Sequence, residues 1–232
     1  MKDLAGRTAV ITGAGGGLGQ EMARRAHALG MRLVLADVEP GPLARIVDEI
    51  RAAGGTAHGE VVDVADEAQV ARLAGRAFAE LGEVNLLVNN AGVGGGGYVW
   101  ETSEKEWRWV LGVNLMGVVH GLHHFIPRML AANARGEPGH VVNTASIAGW
   151  LATPMFGVYN VSKHAVVALT ETLHHDLRMA GATIGVTLLC FTHPQIMASV
   201  RARHDAVHAG APPADPYGQR PDRRPGVTGA SS

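Results

Sequence analysis

The sequence has one cysteine, no excess of charge of either sign and no long uninterrupted apolar run. Each shortage removes a class of explanation. Cys190 alone cannot close an internal disulfide, which fits a reducing compartment, the cytoplasm. It lies in Val186-Thr187-Leu188-Leu189-Cys190 and is expected to pack in the core as a small hydrophobe. The 20 Lys and Arg nearly balance the 21 Asp and Glu, giving a net charge of -1. Nothing in that balance attracts nucleic acid or an anionic membrane. Met1 to Ile11 lacks the apolar run of a signal peptide, and no later stretch is expected to span a bilayer. What is present, 232 residues of which 47% are hydrophobic and 18% charged, suits one sizeable globular domain.

Short apolar runs alternate with longer helical periodicities. The pattern predicts strands over 8–12, 32–36, 57–62, 84–88, 140–144 and 183–190. Helices are predicted over 17–29, 42–53, 67–81, 104–132 and 159–179. Apolar runs without alternation, separated by helices, are strands buried on both faces. With right-handed crossovers they give an α/β fold: a single Rossmann-type, doubly wound parallel sheet of six to seven strands with helices on both faces. Past Cys190 the pattern changes. Phe191-Thr192-His193-Pro194 leads into an expected helix over 195–208, and 209–232 is a Pro-, Gly- and Arg-rich tail expected to be disordered or loosely attached. The dinucleotide-binding domain is accordingly expected over 1–208.

The first strand runs into Thr12-Gly13-Ala14-Gly15-Gly16-Gly17-Leu18-Gly19, where a helix starts. Gly13, Gly16, Gly17, Leu18 and Gly19 are thus placed to let the backbone approach a pyrophosphate, whose charge the helix N-terminus meets. The second strand ends at Asp37, followed by Val38. A carboxylate there accepts hydrogen bonds from both adenosine ribose hydroxyls and repels a 2′-phosphate, and no Lys or Arg stands nearby to welcome one. NAD is therefore expected over NADP. Asp63 and Val64, ending the third strand, are placed to flank the adenine. Asn90, Ala91 and Gly92, ending the fourth, are placed near the nicotinamide-side ribose.

Tyr159 and Lys163 stand four apart on one face of a helix. A phenol has a pKa near ~10, and a neighbouring ammonium is expected to lower it toward a range useful for proton transfer. Ser146, past the fifth strand, is placed to hydrogen-bond a substrate oxygen. The glycine turn, Asn89 to Gly92, Ser146 and Tyr159-x-x-x-Lys163 resemble, in order and spacing, the short-chain dehydrogenase/reductase family from about Leu4 to Cys190. The resemblance implies that Asn114, in Val113-Asn114-Leu115, completes a proton relay through Lys163 and water. It also implies that Tyr159 and Lys163 touch the cofactor, and that the protein is a homodimer or homotetramer acting on a small carbonyl or alcohol. Residues 141–146 and 159–177 look like a subgroup containing lignin-type aryl Cα-alcohol dehydrogenases.

Family members usually carry Pro-Gly after the sixth strand, then a helical lid over the substrate. Phe191 to Pro194 departs from that. One alignment deletes the lid and joins the sixth strand almost to the seventh; the other replaces Pro-Gly by Phe191-Thr192 and keeps a shortened lid. The leading function is an NAD-dependent oxidoreductase interconverting a secondary alcohol and a ketone. The alternative is a dinucleotide binder with little turnover, which a missing lid would favour, and the fold also hosts other chemistries such as dehydration. The pairs His123-His124, His174-His175 and His204/His208 invite a metal. No carboxylate or Cys stands at a recognisable third-ligand spacing, so none is expected. Trp100, Trp107 and Trp109 are expected to pack, with the pocket rim as the other placement.

Overall fold

The computed structural model describes residues 3–190. The segment 191–194, the expected helix over 195–208, the tail over 209–232 and the question of the lid lie outside the described residues.

Six parallel strands carry the fold: β1 (Thr8–Thr12), β2 (Arg32–Asp37), β3 (Ala57–Val61), β4 (Leu86–Asn89), β5 (His140–Thr144) and β6 (Gly185–Leu189). Their spatial order is β3-β2-β1-β4-β5-β6. The order reverses between β1 and β4, and a doubly wound sheet opens its ligand crevice at such a switch point. β1 is buried throughout because both faces are covered. Ala9 and Ile11 face one core with α1 (Gly17–Ala28) and α2 (Pro40–Ala52). Val10 faces the other, which holds α3 (Glu67–Leu81), α5 (Gly117–Asn133) and α6 (Gly157–Met179).

Local chemistry sets the helix starts. Asp66 caps α3, accepting from the amides of Ala68 at 2.9 Å and Gln69 at 3.2 Å. Ser103 caps α4 (Glu104–Leu111) by accepting from the amide of Glu106 at 3.2 Å. Between α4 and α5 the chain widens into a π-helical segment, Gly112–Met116, so the helical run is continuous but irregular where Asn114 stands.

Three expectations are corrected. β4 starts at Leu86 rather than 84, because the Asn85 side chain accepts the Thr8 amide at 3.2 Å and donates to Pro138 O at 3.0 Å. The helical run Glu104–Asn133 does contain an 18-residue window that reaches the length and apolarity of a membrane span, with a mean hydropathy of 1.2. In the fold its Val110, Val118, Leu122, Phe125 and Met129 are buried. Cys190 is exposed just past β6, the outermost strand among the described residues, instead of packing inside.

Candidate active site

Every expected site residue lies at or past the C-terminal end of a strand or on the helical run that follows one. The glycine turn follows β1, and its close packing explains its composition. Gly13 has φ +65°, and a Cβ on Gly19 would stand 2.0 Å from the Gly13 carbonyl oxygen. No side chain caps α1 at Gly16 and no acidic residue occupies its first turn, with Gly17 and Leu18 leading into it. Those amides and the helix dipole favour an anion. Asp37 is buried beside the turn: one oxygen accepts the Gly15 amide at 2.7 Å, the other that of Glu39 at 3.0 Å. Val38 is exposed next to it. Asp63 is exposed past β3 and accepts the Ala65 amide at 2.9 Å, whereas Val64 is buried with its carbonyl 2.9 Å from His120 Nδ1 on α5.

Past β4, Asn90 is pinned to β1. Its side chain donates to Thr12 O at 3.0 Å, and Thr12 Oγ1 accepts the amides of Asn90 at 3.0 Å and Ala91 at 3.1 Å. A line of buried amides fixes this end of the sheet. Asn89 donates to Asn143 Oδ1 at 2.9 Å, and Asn143 donates to Thr170 Oγ1 at 3.1 Å. Since Asn89 and Asn143 are register partners, the link holds β4, β5 and α6 in one alignment. Sequence reasoning missed Thr12, Asn143 and Thr170; two asparagines at the ends of apolar strands were the available signal.

The catalytic candidates converge. Ser146 is buried, caps the short 3₁₀ turn Ile147–Gly149 by accepting the Ala148 amide at 3.2 Å, and acts on the Tyr159 phenol, opposing the upward push of burial. Lys163 is buried, its Nζ donating to Thr144 O at 3.0 Å and lying 5.7 Å from the Tyr159 ring centroid. Asn114 is locked by three contacts. Its Oδ1 accepts the Val93 amide at 2.7 Å, and its Nδ2 donates to Val93 O at 2.9 Å and Ser162 Oγ at 3.0 Å. Ser162 Oγ in turn donates to the Tyr159 carbonyl at 2.7 Å, which ties Asn114 to the turn of α6 bearing the phenol. A Cβ on Gly92 would stand 3.4 Å from Asn114 Oδ1 and 3.6 Å from Lys163 Nζ, so both atoms flank the same spot.

The electrostatics differ from expectation in one respect. Burial holds the Tyr159 phenol above its ordinary range, outweighing the opposing hydrogen bond from Ser146. The expected lowering by Lys163 is not found, since burial takes Lys163 itself down to about 8 and its ammonium is turned to the Thr144 carbonyl.

Beside the first turn of α6 lies an apolar cavity of about 330 Å³, lined by Tyr98, Val99, Trp100, Pro154, Met155 and Gly157 among others. Its two walls are stitched by Gly97 N donating to Met155 O at 2.6 Å, with Met155 held at φ +65°. Trp100 belongs to the rim rather than the core. It is 77% exposed and stacks on Tyr98 with centroids 4.8 Å apart. Trp107 and Trp109 are half-buried.

A doubly wound parallel sheet with a glycine turn at its switch point and a Ser-Tyr-Lys cluster across the crevice defines the class: an α/β protein of the dinucleotide-cleft type. Comparison with known proteins gives the family. The short chain dehydrogenase model matches residues 7–205, and the chain belongs to that family. A short chain dehydrogenase/reductase from Burkholderia phymatum, solved in complex with NAD, is similar at TM-score 0.80 and 48% identity, over 90% of this chain and 82% of that one. A metagenomic short-chain oxidoreductase in complex with NADP is similar at TM-score 0.76 and 33% identity, over 84% and 86%. A C alpha-dehydrogenase from Sphingobium sp. is 36% identical over 187 residues, which are 80% of this chain. The match spans 60% of the length of that relative.

Proposed function

We propose that this protein is an NAD(H)-dependent oxidoreductase that interconverts a secondary alcohol and a ketone. The observation that carries the proposal is the convergence of a buried Ser146, Tyr159 and a buried Lys163, whose Nζ lies 5.7 Å from the Tyr159 ring centroid, at the same sheet end as the uncapped glycine turn. A protein that only binds a dinucleotide has no use for that cluster. The residues fit the cofactor: the α1 amides would hold its pyrophosphate, Asp37 and Val38 its adenosine ribose, and Asp63 and Val64 its adenine. Asn90, Ala91, Gly92, Tyr159 and Lys163 would hold the nicotinamide half. When bound, it supplies or accepts the hydride exchanged with the carbinol carbon. The solved relative with NAD supports this, and the buried carboxylate of Asp37 supports NAD over the NADP of the other solved relative.

In the reduction direction Tyr159 gives its phenolic proton to the substrate oxygen, and in oxidation it takes that proton back. Ser146 holds the same oxygen. A phenol kept protonated by burial is ready as the acid. Lys163, with its ordinary value reduced to about 8, lies close enough to neutrality to pass a proton onward past Asn114. The apolar cavity beside the first turn of α6 would suit a bulky, weakly polar substrate, an aryl ketone or diketone being the fitting class. By the family's habit the protein would be a homodimer or homotetramer, and its single exposed thiol suits the cytoplasm. NADH consumption across aryl ketones, diketones and quinones tests the proposal. Turnover on at least one supports it, and none on any carbonyl contradicts it.

A further inference from the structure

Away from the crevice, the start of α3 meets the middle of α5, and three metal-ligating side chains come together there. Glu67, His123 and His124 each present one ligand atom, all within 4.8 Å of one another. Glu67 is the first residue of α3 and is separated in sequence from the two histidines by β4 and α4, so its approach is a product of the fold. His124 Nε2 lies 3.5 Å from Glu67 Oε1. Tetrahedral bonds of about 2.0–2.2 Å to one ion set neighbouring ligand atoms about 3.4 Å apart, so this pair already has the spacing of two ligands on one ion. The rings of His123 and His124 stand edge to face, 4.8 Å apart at an interplanar angle of 82°. His123 is exposed, leaving it free to swing the remaining distance.

A second observation points the same way. His124 Nε2 is buried and makes no hydrogen bond among the described residues. Buried ring nitrogens are ordinarily satisfied, and leaving one unpaired is unfavourable. Glu67 stands near it without the alignment of a hydrogen bond. The adjacent Asp66 is not a spare ligand, because its oxygens are taken by the amides of Ala68 and Gln69 and by the Gln69 side chain. The two carboxylates at the start of α3 also offset the positive end of its dipole, which would otherwise repel a cation.

We infer that Glu67, His123 and His124 form a site for a divalent transition metal, with water completing the coordination. Two imidazole nitrogens and one carboxylate oxygen select Zn²⁺ and its neighbours over Mg²⁺ and Ca²⁺, which take oxygen ligands. The site joins α3 to α5 one turn beyond His120, whose ring holds the Val64 carbonyl. A bound ion would therefore clamp the loop from Asp63 to Asp66 as well as the two helices, and raise the melting temperature of the whole domain.

The test is Zn²⁺ titration by calorimetry, together with the visible spectrum of Co²⁺, on the chelator-treated full chain. Wild type is compared with Glu67→Gln and His123→Ala. Both substitutions are at exposed positions, and melting temperatures without metal confirm that the fold is kept. One ion per chain is expected, with affinity lowered at least about tenfold in each variant, since even losing an outer-shell partner costs about 10–100-fold. The Zn²⁺-induced rise in melting temperature should shrink in parallel. Equal affinity and stoichiometry in all three proteins would place the ion elsewhere, for example at His174-His175, and overturn the inference. So would failure of wild type to bind Zn²⁺ at millimolar concentration.

Discussion

Lys163 is a charged side chain buried against a carbonyl, and its titration should be visible in the stability of the protein. Burial brings it down to about 8, against about 10.4 in an unfolded chain. Between those values the unfolded chain holds a proton that the folded chain has released, so stability rises with pH across that window. Tyr159 acts in the opposite sense, but only above its ordinary value near ~10, because its folded form is the one that keeps the proton. Melting temperatures of the cofactor-free protein from pH 7.5 to 9.5 are therefore expected to climb relative to those of Lys163→Met. Parallel curves would refute the buried-ammonium account. Asp37 offers a second residue-scale test of the proposed cofactor preference: Asp37→Asn removes the charge proposed to repel a 2′-phosphate while keeping an acceptor for Gly15. The ratio of kcat/KM for NAD over NADP should fall at least about tenfold, the effect of one lost repulsive contact. At this scale the motif residues were legible because their chemistry needs particular side chains at fixed spacing. The tie of Thr12 to Asn90 and Ala91 and the line from Asn89 through Asn143 to Thr170 were not, since they join elements far apart in sequence. The same holds for Glu67 beside His123 and His124. Cys190 was misplaced because an apolar run does not reveal that its strand lies outermost among the described strands.

Elements were easier to read than contacts. β1, β2 and β5 were expected within a residue of their bounds, because strands covered on both faces are apolar without interruption. The π-helical segment over Gly112–Met116 was not legible. Its sequence continues the helical periodicity on either side, and the widening serves to bring Asn114 against Val93 and Ser162. The first crossover depends on the glycine turn more than on any helix propensity. Gly19→Ala places a methyl against the Gly13 carbonyl, which has no room to retreat, and is expected to cost about 1–3 kcal/mol of stability. It should also weaken NAD binding, readable by urea denaturation and fluorescence titration. Asp66→Ala removes the cap of α3 and should lower the melting temperature, with NAD-dependent turnover retained.

On the scale of the molecule, two layers of helices on one parallel sheet present the glycine turn and the Ser146, Tyr159 and Lys163 cluster at the same set of strand ends. β1 and β2 carry the glycine turn and Asp37; β4, β5 and α6 carry Asn90, Ser146, Tyr159 and Lys163. The halves meet at the β1–β4 switch, where Thr12 and Asn90 are bonded across it. NAD should bridge them, raising the melting temperature of the full chain in proportion to the logarithm of its concentration. The most direct measurement of the central claim is the steady-state kcat of Tyr159→Phe on a ketone that the wild type reduces, with the NAD-induced melting shift measured on the same sample. The phenol is expected to supply roughly 10²–10⁴-fold of the rate, so kcat should fall by that factor while the NAD shift persists. A Tyr159→Phe enzyme that turns over like the wild type would contradict it.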